Sequence, residues 1–339
     1  MEKCLITGGA GFIGTNMAVR LMENGKHVRI MDNLSRSGVE KNLEWLNENY
    51  DGKFEFVESD VRNFDAVEAA VKDMDTVFHF ASQVAVTTSV EDPRTDFEVN
   101  AFGTLNVLEA ARISPLKPAF LFTSTNKVYG KLMSLGVREK QTRYLFAGLP
   151  RGVDESQPLD FYSPYGCSKG AGDQYIRDYA RIYGMKTVVF RMSCIYGPHQ
   201  FGNEDQGWVV HFVISALLNR AINIFGDGKQ VRDILYVEDL TRAFELAAEN
   251  IDSTAGEVFN IGGGVENSIS LLELLDILEE ITEGKTPVNF YDWRPGDQKV
   301  YITNADKARE FFGWKPEISS KEGIRKMTEW VNENRELFV

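Results

Sequence analysis

Lys3-Cys4-Leu5-Ile6-Thr7-Gly8-Gly9-Ala10-Gly11-Phe12-Ile13-Gly14 is a short apolar run that stops in glycines and then reads as a helix. A strand, a glycine turn and a helix in that order let backbone N–H groups approach a pyrophosphate with no side chain in the way, and the helix dipole then faces the anion. Two spacings overlap here, Gly9-x-Gly11-x-x-Gly14 and Gly8-x-x-Gly11-x-x-Gly14, and both are dinucleotide patterns. A second strand, His27 to Met31, follows the helix and ends at Asp32. A carboxylate at that point can hold both hydroxyls of an adenosine ribose and repels a 2′-phosphate, so NAD is favoured over NADP, with Arg36 the one nearby cation that would suit the other cofactor. Gly8, Gly11, Phe12, Ile13, Gly14, Asp32, Asn33 and Arg36 are therefore expected to line the first half of a cofactor site.

Strand-like runs recur at Phe54 to Val57, Thr76 to Phe80 and Ala119 to Thr123, separated by helical patterns at 40–49, 64–73 and 95–113. This alternation predicts an α/β fold with a parallel, doubly wound sheet. Ligands of such sheets collect at the C-terminal ends of the strands. Asp60 and Val61, Phe80, Ala81 and Ser82, and Thr123 fall there and are expected to wall the adenine, ribose and nicotinamide. A helix from Tyr165 to Tyr183 and a strand from Thr187 to Arg191 complete the pattern, which predicts a cofactor domain over 1–192. Residues 131–159 lack periodicity and read as an insertion lying over the site, a candidate lid. Beyond 193, short elements at 194–206, 226–236 and 284–300 interrupt helices at 207–219, 238–250, 269–283 and 321–335, which predicts a smaller substrate domain over 193–339.

The 339 residues suffice for a sizeable core, and 43% hydrophobic with 26% charged residues is ordinary globular composition. A net charge of −13 argues against nucleic acid, whose phosphates need a basic face. Cys4, Cys167 and Cys194 are too scattered for a disulfide framework or a zinc site, and the four histidines have no ligand spacing, so no metal is expected. No basic and apolar leader precedes the first strand and no apolar run is long enough for a bilayer, which predicts an unexported, cytoplasmic protein without a membrane partner.

Tyr165-Gly166-Cys167-Ser168-Lys169 puts a phenol and an ammonium at i and i+4, on one face of a helix. A tyrosine that must take a proton from a sugar hydroxyl near neutrality needs its phenolate stabilised, and a neighbouring Lys⁺ does that. Ser124 and Thr125, at the end of the preceding strand, are expected to hold the same hydroxyl, which makes Tyr165, Lys169 and Thr125 the candidate catalytic residues. Gly226 to Asp233 is a tight turn carrying the cations Lys229 and Arg232, and Arg294 supplies a third; an arginine fork matches phosphate oxygens.

TGGAGFIG, Asp32, Tyr165 with Lys169, and Gly313-Trp314-Lys315-Pro316 together resemble the extended short-chain dehydrogenases/reductases that act on nucleotide sugars, over essentially the whole chain. The resemblance implies a Rossmann fold, bound NAD, a nucleotide-sugar substrate and a homo-oligomer, dimer or tetramer. It assigns Arg232 and Arg294 to the substrate diphosphate and Asp297 to the ribose of its nucleotide, and it sets Ser124, Asn126 and Lys229 among the substrate contacts. Sugar 4,6-dehydratases of this family carry Asp-Glu where this chain has Asn126-Lys127, and elimination of water needs that acid and base. The stretches 124–130, 159–170 and 205–209 are most similar to the 2-epimerase branch acting on CDP-linked hexoses of the paratose and tyvelose type. That implies inversion at carbon 2 through a 2-keto sugar. Inversion at carbon 4, net oxidation of the sugar and a non-catalytic NAD-sensing module are the competing readings.

Overall fold

The computed structural model describes residues 1–294 and 297–338; Pro295 and Gly296, within the Arg294–Asp297 loop, lie outside the described residues. Seven strands form the central sheet: β1 (Lys3–Thr7), β2 (His27–Asp32), β3 (Phe54–Glu58), β4 (Thr76–His79), β5 (Ala119–Thr125), β6 (Thr187–Met192) and β7 (Glu257–Ile261). Their order is β7-β6-β5-β4-β1-β2-β3, all parallel, with Thr7 beside both Met31 and His79, and Thr125 beside Met192. The order reverses between β1 and β4, which opens a crevice at the C-terminal ends of those two strands.

Parallel strands carry helices on both faces, so their side chains divide between two cores with period two. Cys4 and Ile6 of β1 and Leu121 of β5 face a core with Met17 and Leu21 of the helix Phe12–Glu23 and Phe244 of the helix Val237–Glu249. Leu5, Phe120 and Phe122 face the other, with Val107 and Ala111 of the helix Gly103–Ile113 and Ile176 of the helix Pro164–Tyr183. A third cluster holds the substrate part together, joining the helices Trp208–Leu217, Leu271–Thr282 and Ser320–Glu333 through Val213, Leu274 and Ile324.

One expectation is corrected and two gain detail. The cofactor domain does not end at 192. The chain leaves the sheet after β6, builds the first substrate elements, and returns to add β7 beside β6, with Met192 opposite Ile261. The helix Val237–Glu249 and the buried Phe312 and Trp314 belong to the same core. The expected helix 95–113 runs unbroken over 93–113, with a wide π-type turn Glu98–Phe102 set between the α-helical stretches Pro93–Phe97 and Gly103–Ile113. Finally, the insertion 131–159 is pinned down. It forms a hairpin, Val137–Glu139 against Tyr144–Phe146; Tyr144 N donates to Lys229 O at 2.9 Å and Val153 N to Ile302 O at 2.7 Å.

Candidate active site

The glycine turn is shaped by what surrounds each glycine. Gly8 has φ +68°, and a Cβ on it would lie 2.6 Å from Ala81 N; a Cβ on Gly14 would lie 2.5 Å from Gly9 Cα and closer still to Gly8 O. At Gly11 only Gly8 O is near, at 3.1 Å, so its other side is open. Gly11 caps the helix Phe12–Glu23 without a side chain, and no acid occupies the first turn, so the N–H groups of Phe12 and Ile13 end at an uncapped, positive helix terminus. This cradle fits a pyrophosphate.

Asp32 ends β2 with 9% exposure. Ala10 N donates to one of its oxygens at 3.1 Å and Leu34 N to the other at 2.9 Å. Burial raises its pKa and those backbone donors oppose the rise. Asn33 donates to Asp60 at 2.7 Å. Arg62 grips the same carboxylate at 2.9 and 2.8 Å and, as the main cause, holds its pKa down to about 2. Val61 is buried where a Cβ on Gly103 would touch it. Arg36 is exposed and donates to Gln206 at 2.5 Å. Beyond β4 the Phe80 ring turns into the core, 4.9 Å from Phe244, so only its backbone and that of Ala81 edge the crevice. Thr123 donates to His79 O at 3.3 Å.

The candidate reacting centre rests on the helix Pro164–Tyr183. Ser163 caps it by accepting from Gly166 N at 3.0 Å, and Pro164 presets the first turn, so Tyr165 and Lys169 share a face from the start of the helix. Burial pushes the half-buried Tyr165 phenol up to about 12, and a hydrogen bond with Thr125 opposes it. Lys169 is 2% exposed with its nitrogen 4.2 Å above the Phe122 ring; burial pulls its pKa down to about 7, against the pull of Asp96 and Asp173. An acid, a base-stabilising cation and a hydroxyl donor therefore meet at the C-terminal end of β5.

Ser124 is not with them. Its hydroxyl donates at 2.8 Å to Asp173, further along the helix that carries Tyr165 and Lys169, and Asp173 receives Arg191 at 2.8 and 2.9 Å. Arg191 reaches Tyr129 at 3.1 Å, and Tyr129 donates to Asn260 of β7 at 2.7 Å. Adjacent strand residues point to opposite faces, so Ser124 and Thr125 cannot both serve one ligand. Asn126 is buried beside Thr125, whose hydroxyl lies 3.4 Å from its amide oxygen.

On the substrate side, Arg232, Asp297 and Lys127 are electrostatic neighbours. Arg294 lies over the Phe225 ring at 3.8 Å and donates to Glu204 O at 3.0 Å, with Asp205 at 3.4 Å. Lys229 does not join them, because its ammonium is paired with Glu139 of the insertion hairpin at 2.6 Å. Two residues escaped the sequence reasoning. Asn100, in the π-type turn, donates to Gln83 O, Asp96 and Ser168 at 3.0–3.1 Å and accepts from Ser82 and Gln83 N at 2.8 Å, tying the β4 loop to the Tyr165 helix. Nothing in local sequence marks an asparagine in a widened turn. Lys127 was noticed only as a departure from the dehydratase pair.

Residues 5–327 match the family model for GDP-mannose 4,6 dehydratase. The chain is 45% identical to CDP-paratose 2-epimerase of Salmonella typhi, across 97% of this chain and 99% of that protein. Among solved structures, UDP-glucose 4-epimerase of Thermotoga maritima with UDP-glucose superposes with a TM-score of 0.84 at 34% identity, covering 98% of this chain and 99% of the other. UDP-glucuronic acid 4-epimerase of Bacillus cereus, in complex with UDP-glucuronic acid and NAD, gives 0.84 at 28% identity with coverage of 98% and 99%. With its glycine cradle, its β2 carboxylate and its Tyr165–Lys169 pair, the chain belongs to the extended short-chain dehydrogenases/reductases that act on nucleotide sugars.

Proposed function

We propose that this protein is an NAD-dependent epimerase that inverts carbon 2 of a CDP-linked hexose of the paratose/tyvelose type. The observation that carries the reading is the constellation at the end of β5: Tyr165, Lys169 and Thr125 meet there, followed by an amide and an ammonium where elimination would need carboxylates. The CDP-paratose 2-epimerase relative at 45% identity supports carbon 2 and the cytidine nucleotide.

In this reading the N-terminus of the helix Phe12–Glu23 takes the cofactor pyrophosphate, Asp32 holds its adenosine ribose, and Lys169 holds the nicotinamide ribose. When bound, NAD supplies reversible two-electron oxidation of the sugar carbon. Thr125 orients the sugar hydroxyl and Tyr165 takes its proton as the ketone forms. The same tyrosine returns the proton after the 2-keto sugar has presented its other face, so no net redox change results. Burial keeps Tyr165 neutral near pH 7 and leaves Lys169 poised between its charged and neutral forms. Beside a positively charged nicotinamide Tyr165 would lose its proton more readily, and its phenolate would keep Lys169 charged.

The test is proton NMR of the product from CDP-paratose, with CDP-glucose and the UDP and GDP counterparts alongside, run in D₂O. Inversion at carbon 2 with no solvent deuterium in the sugar is expected. Solvent deuterium at carbon 2 defeats the mechanism, and inversion at carbon 4 alone defeats the positional assignment. We further propose a homo-oligomer in the cytoplasm. Phe97, Phe102, Tyr175, Ile182 and Tyr183 are large exposed apolar residues on or beside the segments 93–113 and 164–183, and a two-fold pairing of these helices would cover them. Light scattering at micromolar concentration checks it, with a one-chain mass as the refuting result. Among the described residues no helix is long and apolar enough to cross a membrane.

A further inference from the structure

Lys127 sits two residues beyond Thr125 in a short, tightly held turn. Its N–H donates to the Thr125 hydroxyl at 3.2 Å, and its carbonyl accepts from Gly130 N at 3.1 Å. Asp160 N donates to Val128 O at 3.0 Å, the Gln298 amide donates to Gly130 O, and a Cβ on Gly166 would lie 3.3 Å from Lys127 O. Asp160, Gln298 and the start of the catalytic helix thus hold the backbone of this turn in place.

The Lys127 side chain is half-buried, and its ammonium's charged neighbours are Arg232 and Asp297, with the Cys194 thiol beside them. Burial is the larger cause of a pKa pulled down to about 8, Arg232 adds to it and Asp297 opposes. The group is still mostly protonated at neutrality. Among the described residues no carboxylate comes within 4 Å of it, since it forms none of the ion pairs that engage Arg294 and Lys229. Asp233, also near Cys194, is engaged by Ser193 and Gly264 N, so Lys127 and Arg232 face Asp297 alone and leave this end of the cleft positive, which suits an anion.

The substrate chemistry says which anion and why it matters. In a nucleotide sugar the diphosphate hangs on carbon 1, so carbon 2 is one bond from its attachment and carbon 4 is three. For the carbon 2 hydroxyl to rest against Tyr165 and Thr125, the diphosphate must be drawn inward by most of a ring's width compared with the carbon 4 pose. Arg294 sits outward on Phe225 and is engaged with Glu204 and Asp205, whereas Lys127 is next to Thr125. We propose that Lys127 is a specificity-determining residue that anchors the sugar-proximal phosphate at the inner end of the cleft and thereby selects carbon 2 over carbon 4. This rests on the 2-epimerase reading above.

The test compares the full-length protein with its Lys127→Met and Lys127→Arg variants on CDP-paratose, scoring carbon 2 and carbon 4 inversion by NMR, with KM, NAD content and melting temperature measured for each. Loss of a charge-assisted phosphate contact in Lys127→Met is expected to raise KM about 10²-fold. The share of carbon 4-inverted product should rise at least about tenfold, the free-energy equivalent being about 1.4 kcal/mol. Bound NAD and melting temperature should match wild type. Lys127→Arg, which keeps the charge, should keep the wild-type product ratio, and Lys127→Gln replaces the methionine variant if that one fails to fold. A carbon 4 share that does not rise, whether carbon 2 turnover persists or vanishes, overturns the proposal while leaving the 2-epimerase reading standing. Wild-type inversion at carbon 4 alone overturns both.

Discussion

Arg191→Met should destabilise the protein more than any loss of surface charge. Asp173 and Arg191 have side-chain exposures of 0% and 3%, so neither has water to fall back on. Removing the guanidinium leaves the carboxylate with the Ser124 hydroxyl at 2.8 Å and the Gln174 amide at 2.7 Å but no ion-paired cation, Lys169 acting only from a greater distance. Burial works against the Arg191 charge, yet the paired carboxylate more than offsets it and holds its pKa above the usual value. Breaking one side of such a pair costs about 3–5 kcal/mol, because the remaining charge stays buried. At about 2 °C per kcal/mol for a chain of this size, the melting temperature should fall by about 6–10 °C. The double variant Asp173→Leu/Arg191→Met removes both charges and should recover much of that loss, a non-additivity of at least about 2 kcal/mol in a double-mutant cycle. Denaturant unfolding of the two single variants and the double one provides the assay. A single-variant loss under about 1 kcal/mol, or strict additivity, would refute the view that this pair clamps the catalytic helix to β5 and β6.

Tyr165→Phe should keep NAD and fold while losing about 10²–10⁴-fold in turnover, and Lys169→Met should lose activity and move the pH optimum upward, since the phenolate loses its cation; near-normal rates for both would remove the pair from the mechanism. Gly14→Ala forces the turn open against Gly8 O and Gly9 Cα, so NAD released on denaturation should fall well below one per chain and stability should drop by about 1–3 kcal/mol; a fully loaded variant would show that the cradle tolerates a methyl group. His79, held between Thr7 at 2.6 Å and Thr104 at 2.9 Å, has its pKa pulled down to about 3, first by burial and then by Lys169. The unfolded chain therefore binds a proton that the folded one refuses between about pH 6.5 and pH 3, and stability should fall as pH drops through that window by about 1.4 kcal/mol per unit. His79→Gln should flatten the urea-unfolding profile by one proton, and an unchanged slope would count against it.

What the sequence revealed was local. Strand, glycine turn, helix and Asp32 lie within 30 residues, and Tyr165 and Lys169 are one helical turn apart, so periodicity and spacing carry them. What it hid was set by distant partners. Nothing near Ser124 says that its hydroxyl belongs to Asp173, 49 residues away, although strict alternation along β5 separates it from Thr125. Lys229 looked like a free cation because Glu139 lies 90 positions earlier, in a hairpin too short to read. The five-residue β7 carries no sign that it pairs with a strand 65 residues upstream rather than with its neighbours.

That late strand has a consequence for synthesis and for cutting. A nascent chain that has just completed β6 presents Thr187–Met192 as an open sheet edge, with Phe190 lacking Phe244, Phe259 and Phe312, its later stacking partners. The cofactor sheet cannot close until residue 261 has left the ribosome, and its core is not sealed until Trp314 follows, so both halves of the molecule mature together. For the same reason, a protease that nicks the exposed residues 203–205 severs the backbone without freeing a cofactor domain. The two fragments stay joined through β6 and β7, migrating as one species until a denaturant pulls that pairing apart.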